Sequence, residues 1–188
     1  MKQEFYDAVI ANPIISAIKE EKELEHCLQV ADTTIVFILY GQISTIASIV
    51  EKVKVSGKIA IVHMDLIAGL SSRIESVDFI AQYTKADGII STRFEQIKRA
   101  KELNLSTIYR IFAIDSKSLN NIPSHISHYA DMIEILPGLM PKIIQRMVKT
   151  MSVPIIAGGL IADKEDVIAA LDAGAIAISS TNENVWSM

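Results

Sequence analysis

One cysteine in 188 residues, Cys27, cannot form a disulfide within the chain, and the stretch Met1-Lys2-Gln3-Glu4-Phe5 lacks the continuous apolar run of a secretory signal. The expected location is the cytoplasm. Long apolar runs are also missing: Ile35-Val36-Phe37-Ile38-Leu39 and Ile59-Ala60-Ile61-Val62 stop far short of the roughly 20 residues that a membrane helix needs. No membrane partner is expected. A cationic excess is absent too, with 18 basic residues against 22 acidic and a formal net charge of −4, so the whole molecule presents no field that draws in nucleic acid or anionic lipid. Aromatics make up only 6% of the chain, and no aromatic-rich basic strand of the sort that reads single-stranded RNA is visible. What the chain does hold is 50% apolar and 21% charged residues, with no linker or shift in composition. That predicts one globular domain over residues 1–188 and excludes a disordered or fibrous chain.

Short, continuously apolar runs alternate with stretches of helical spacing. Eight runs stand out: Ile14 to Ile18, Thr34 to Tyr40, Lys58 to His63, Gly88 to Thr92, Thr107 to Phe112, Met132 to Leu136, Val153 to Ala157 and Ala175 to Ser179. Continuous apolarity implies burial on both faces, the pattern of a parallel sheet covered by helices. Between the runs, Ile43, Ile46, Ala47 and Val50 form one helical stripe and Phe94, Ile97, Ala100 and Leu103 another. Asp163 is placed to cap a further helix, with Asp166 three residues on and Val167, Ala170 and Leu171 facing inward. Eight strands of about five residues and eight helices of about eleven leave about four residues per connection. The expected architecture is therefore an α/β fold, a compact (β/α)8 TIM-type barrel. About 250 residues is usual for that fold, so some helices should be short or degenerate, with Asn120-Asn121-Ile122-Pro123 and Asn182 to Met188 the obvious places. An open doubly wound sheet is the competing architecture.

In such a barrel the ligand site is built from the C-terminal strand ends. The seventh run leads into Gly158-Gly159 and the eighth into Ser179-Ser180-Thr181-Asn182. Glycines there let backbone N–H groups approach an oxyanion, and a short helix starting at Asn182 would add more, so these six residues are candidate phosphate ligands. The alternative is a plain tight turn. His63 and Asp65 share strand parity with Ile59 and Ile61, so they either line the mouth, where they could hold substrate hydroxyls, or form a His–Asp pair in the core. An imidazole beside a carboxylate is expected to tend toward the cation. Arg110 and Glu134 each lie in an apolar run, and a buried charge needs a partner, so neighbouring strands make them a predicted pair. Either it is a structural ion pair, or Arg110 also offers donors to a ligand.

Other features carry less. His125 and His128 have helical metal-ligand spacing but no completing carboxylate or thiol, so no metal is expected there. His63-Met64-Asp65 resembles the metal strand of pentose-phosphate epimerases, yet Leu39-Tyr40-Gly41 and Ala157-Gly158 lack the further ligands. Lys58 and Lys85 precede their strands, which argues against a Schiff-base aldolase. Cys27 reads as packing, and the basic rows Lys98-Arg99-Lys101 and Lys142, Arg146, Lys149 as solvated helix faces. No catalytic set and no cofactor are implied, so the site is better suited to binding than to turnover.

Five segments taken together carry a family resemblance. They are His63-Met64-Asp65-Leu66-Ile67-Ala68-Gly69-Leu70, Asp87-Gly88-Ile89-Ile90-Ser91-Thr92-Arg93, Arg110-Ile111-Phe112-Ala113-Ile114-Asp115-Ser116, Glu134-Ile135-Leu136-Pro137-Gly138 and Pro154-Ile155-Ile156-Ala157-Gly158-Gly159-Leu160-Ile161. In order, from about Asn12 to Trp186, the chain resembles the glycerol uptake operon antiterminator regulatory proteins. The resemblance implies a small barrel that senses glycerol 3-phosphate and, when loaded, binds the leader mRNA of a glycerol operon so that an early terminator hairpin fails to form. It also implies that Gly158, Gly159 and Ser179 to Asn182 take the phosphate while His63, Asp65, Arg110 and Glu134 line the polyol end. Ser72-Arg73 stands where the family pattern has an Asn-Asp or similar pair. If RNA binds, Lys98, Arg99, Lys142 and Arg146 are candidate contacts. The alternative function is a metal-free enzyme acting on a small phosphorylated polyol or sugar.

Overall fold

All eight apolar runs become parallel strands, each hydrogen-bonded to its sequence neighbours, and the eighth pairs back onto the first to close a barrel. The strands are β1 (Ile14–Ile18), β2 (Ile35–Ile38), β3 (Ile59–His63), β4 (Gly88–Ser91), β5 (Ser106–Phe112), β6 (Met132–Leu136), β7 (Ile155–Gly158) and β8 (Ala177–Ser180). The computed structural model describes residues 3–188; Met1 and Lys2, part of the N-terminal stretch read above, lie outside the described residues. Closure rules out the open doubly wound sheet. The last two strands begin two residues later than their apolar runs. At β7 the reason is Pro154, which has no N–H for the ladder and supplies only its carbonyl, to Ile133. In β8, Ala175 still completes the preceding helix by donating to Ala170, and Ile176 makes the first contact with β7.

Two cores follow from strand alternation. Inward positions Ile15, Ala17, Ile35, Phe37, Ile59, Ile61, Ile90, Ile108, Met132, Ile156 and Ala177 fill the barrel. Outward positions such as Val36, Ile38, Val62, Ile89, Ile133, Ile135, Ala157 and Ile178 pack under the helices. These helices are α2 (Glu21–Gln29), α3 (Ile46–Val55), α4 (Glu75–Tyr83), α5 (Phe94–Glu102), α6 (Ser116–Asn120), α7 (Pro141–Thr150) and α8 (Lys164–Asp172), preceded by α1 (Gln3–Ala11). Helix α6 has five residues, and β8 is followed only by a 3-10 turn, Glu183–Val185, so the chain saves length at the two expected places. Asp163 caps α8 through the Asp166 N–H, while the Asp166 carboxylate accepts from Ala162 N–H. Ile43 does not belong to the α3 stripe; it lies in the loop before it, where its N–H bonds Ala68.

Helix α1 has no counterpart in the sequence reading. It precedes the first strand and sends Phe5 and Val9 into the same cluster as the barrel interior. Nearby, Lys58 turns its Nζ onto the carbonyls of Val30 (2.8 Å) and Thr33 (2.6 Å), and burial pushes its pKa down. Phe5 and Val9 thus stopper the N-terminal end of the cylinder with hydrocarbon. A Phe5→Ala variant should lose about 3–5 kcal/mol of unfolding free energy in urea titration; a loss below about 1 kcal/mol would show that the plug is dispensable.

Candidate ligand site at the C-terminal mouth

Along the inward stripes the barrel changes from hydrocarbon to polar groups as the strands reach their C-terminal ends. His63, Arg110, Glu134, Gly158 and Ser179 occupy the inward positions one step beyond Ile61, Ile108, Met132, Ile156 and Ala177. Arg110 and Glu134 are register partners on β5 and β6, and Arg110 Nε donates to Glu134 Oε2 at 2.6 Å, so the predicted pair forms. The other carboxylate oxygen accepts from Ser179 Oγ on β8, also at 2.6 Å. Glu134 is 0% exposed and therefore depends on these two donors.

To reach Ser179 the Glu134 side chain must cross β7, and it crosses at Gly158. A Cβ on that residue would lie 2.6 Å from both Glu134 Oε1 and Ser179 Oγ. Gly158 is thus a notch for the carboxylate. Gly159 behaves differently: it sits at φ +74°, followed by Leu160 at φ +64°, a conformation that costs a branched side chain energy. Leu160 is 73% exposed. Its strain is therefore held by the loop, and Gly138 N–H, which bonds Gly159 O at 3.1 Å, is one of the ties.

Between these loops lies a cavity of about 380 Å³ lined by Ala17, Leu39, Arg110, Glu134, Leu136, Gly159 to Ala162 and Ser179 to Thr181. The N–H groups of Gly159, Leu160 and Thr181 have no acceptor among the described residues, which leaves backbone donors on the cavity wall. Ser180 and Asn182 act as staples. Ser180 Oγ donates to Ile161 O and accepts from Asn182 N–H, while Asn182 Nδ2 donates to Ala162 O, locking the β8 loop to the β7 loop. The expected short helix is present as the 3-10 turn after Asn182, whose side chain accepts from Asn184 N–H.

The His63 and Asp65 expectation needs correcting on two points. The strand ends at His63 and a 3-10 turn, Met64–Leu66, follows, so the shared parity stops there. Asp65 turns to the end of β4, where it accepts from Thr92 N–H (2.8 Å) and Ser91 Oγ (3.3 Å), with Arg93 Nε 3.3 Å away. Neither residue lines the cavity. His63 has a side chain 3% exposed, and both ring nitrogens lack hydrogen-bond partners; Nδ1 is 3.9 Å from Asp65. Far from being cationic, it is held neutral. Burial, then the nearby Arg110 charge, push its pKa down to about 3 against the weaker pull of Asp65.

The β3 loop with Ser72-Arg73 is clipped to α5, with Gln96 Nε2 donating to the carbonyls of Ser71 and Arg73. Of the candidate RNA contacts, Arg99 is engaged by Asp78 and Glu102, and Lys98 lies over the Tyr129 ring at 5.9 Å, whereas Lys142 and Arg146 stand exposed on α7. His125 packs edge-on against Phe94, and no group of three or more His, Cys, Asp or Glu gathers for a metal among the described residues. Cys27 is buried, and desolvation raises its thiol to about 11. No helix among the described residues is long and apolar enough to cross a membrane. The cavity-wall residues Ala17, Leu39, Leu136 and Leu160 were not assigned to the site from the sequence because apolar side chains at a mouth look like any others.

Fold and site define a closed (β/α)8 barrel with a cavity at its C-terminal mouth, walled by the loops after β7 and β8. Within that class the chain belongs to the glycerol-3-phosphate-responsive antiterminator family, whose model matches residues 14–186. It is 40% identical over 178 residues to the uncharacterized protein YgcP of Escherichia coli (strain K12), covering 94% of this chain and 93% of that one. A glycerol uptake operon antiterminator regulatory protein from Listeria monocytogenes superposes with a TM-score of 0.89 at 34% identity, covering 93% and 95% of the two chains. A related protein from Thermotoga maritima superposes with a TM-score of 0.81 at 28% identity over 93% and 98%.

Two measurements check this geometry. Gly158→Ala should break the Glu134–Ser179 bridge and lower stability by about 1–3 kcal/mol in denaturant titration, and an unchanged midpoint would remove the notch. Because His63 titrates lower in the folded state than in the unfolded one, the unfolded chain binds the extra proton between pH 6.5 and about 3. Its contribution is therefore complete above pH 6.5 and is lost as pH falls toward 3. In that window the wild type should lose up to about 1.4 kcal/mol per pH unit more than His63→Gln; parallel curves would place a charged imidazole in the core.

Proposed function

We propose that the cavity takes glycerol 3-phosphate and that the loaded protein binds the leader mRNA of a glycerol operon, preventing an early terminator hairpin. The observation that carries the reading is the wall made by Gly159, Leu160 and Thr181, whose unpaired N–H groups suit the phosphate. Arg110 and Glu134, a few steps deeper, suit the glycerol hydroxyls. Family membership supports the same ligand and a regulatory role. Gly158, Ser179, Ser180 and Asn182 are assigned to shaping and stapling the phosphate loops, and His63 and Asp65, which lie off the cavity wall, to supporting the polyol end from behind. Action on a transcript implies a cytoplasmic site of work. RNA contact is assigned to the exposed cations Lys142 and Arg146 on α7, which have no ion-pair partner among the described residues.

Coupling of the two sites is reciprocal: a ligand that tightens RNA binding must itself be bound more tightly when RNA is present. Glycerol 3-phosphate should raise the melting temperature and the affinity for leader RNA together, and RNA binding should weaken steeply with salt. Arg110→Ala and Gly159→Asp should abolish the thermal shift. If glycerol 3-phosphate is consumed, the regulator reading falls and an enzyme takes its place; if it binds without changing RNA affinity, the coupling is wrong.

A further inference from the structure

The sixth βα unit leaves a gap in the ring of helices. Its neighbours α5 and α7 run nine and ten residues, but α6 has five, and the chain then reaches β6 through a loop with one 3-10 turn, Ile126–His128. The strip between α5 and α7 is therefore not roofed by a full helix. On one side the loop meets α5, with the ring centroids of His125 and Tyr129 lying 4.9 Å and 5.5 Å from that of Phe94. On the other it meets the end of α7, where Pro123, Ser124, Ser127 and Thr150 line a cavity of about 260 Å³. We propose that this strip holds the transcript, and that it takes unpaired RNA, with bases against the rings and phosphates against the cations of α7. The inference rests on the RNA reading above and adds the place and the strandedness of what is bound.

Two observations carry it, and the first is charge. From Ser116 to Thr150 the chain holds four cations, Lys117, Lys142, Arg146 and Lys149, against two carboxylates, Asp131 and Glu134. Both carboxylates are buried and bonded, to Lys101 and to Arg110, so the charge this stretch turns outward is positive. Lys142, Arg146 and Lys149 fall on the face of α7 opposite the buried Ile144 and Met147, and none of the three is in an ion pair among the described residues. On α5 the row toward the strip is Phe94, Lys98 and Lys101, whereas Glu102 turns the other way, to Arg99. In a chain of net charge −4 this strip runs against the average, and a local field of that sign suits a polyanion.

The second is the rings. Aromatics are only 6% of the chain and histidines number four, yet Phe94, His125, His128 and Tyr129 meet here from two separate segments. Folding thus assembles what no single strand of the sequence contains. His125 stands nearly perpendicular to Phe94 and to Tyr129, at 78° and 84°, and both histidines are exposed while the rings behind them are half-buried. Edge contacts of this kind fix the orientation of a ring. An exposed and fixed ring offers a π face on which a base of any identity can stack. Bases inside a duplex are covered on both faces by their neighbours, so such rings select unpaired RNA and leave a duplex only the cations to bind.

The test uses the intact protein with glycerol 3-phosphate present and labelled segments tiled along the leader RNA, about 16 nucleotides each, single-stranded or annealed to their complements. Fluorescence anisotropy should show the best single strand bound about 10-fold more tightly than its duplex. Replacing both His125→Ala and His128→Ala should weaken the strand about 10-fold and leave the duplex unchanged. Arg146→Ala should weaken both and reduce the slope of log affinity against log salt for the strand by about 0.7. Lys22→Ala, an exposed cation on α2, should change neither. On the wild type, cross-links from RNA carrying 4-thiouridine should map to the tryptic peptides 94–98 and 118–142. Equal binding of strand and duplex, a double histidine variant of unchanged affinity, or cross-links elsewhere each overturn the site and leave the RNA reading standing. So does an Arg146→Ala variant that changes the sedimentation of the protein with RNA affinity intact, because a second copy of the chain would then cover the strip. If no RNA binds in either form, the RNA reading itself falls and the site falls with it.

Discussion

A single buried carboxylate organises the mouth of this barrel. Glu134 has no solvent to stabilise it, so the fold must bring it donors, and it does so from β5 and from β8, reaching over β7. Breaking such an arrangement on one side strands a charge in a low-dielectric interior, which costs more than the net gain from making it. The residue types around it follow. A guanidinium stands at the register position beside it, a hydroxyl faces it two strands away, and the strand between has no side chain at the crossing point. The cavity at the mouth is the space left beside this bridge.

The barrel was legible because its physics is repetitive. Continuous apolar runs buried on both faces recur, and each adds one strand beside the last until the first and eighth meet. The Arg110–Glu134 pair was legible for the same reason that it exists: two charges at matching depth in adjacent buried strands have nowhere else to turn. Gly158 and Gly159 look alike in sequence, yet one clears a path for a carboxylate and the other accepts a left-handed turn. The end of the strand distinguishes them: Gly158 is the last residue of β7, in register with Ser179, and Gly159 the first of the loop. Helix α1 was missed because it lies outside the strand-helix alternation.

His63 shows how a local reading can invert. Beside Asp65 in sequence it looks like half of an ion pair, but the turn at Met64 gives that carboxylate to the end of β4, and the barrel instead sets His63 near the guanidinium of Arg110. Burial and a like charge then act in the same direction. Burial in the barrel, aided by a charge two strands away, thereby sets the protonation of a residue whose chain neighbours suggest the opposite.

With inward side chains filling the barrel beneath it, the mouth cavity has a closed floor rather than a channel below. Whatever occupies it must arrive and depart through one opening, past the strained Leu160 at the rim. Residence time is then governed by the motions of the lip, and a macromolecule seated over that lip would trap the small molecule beneath it.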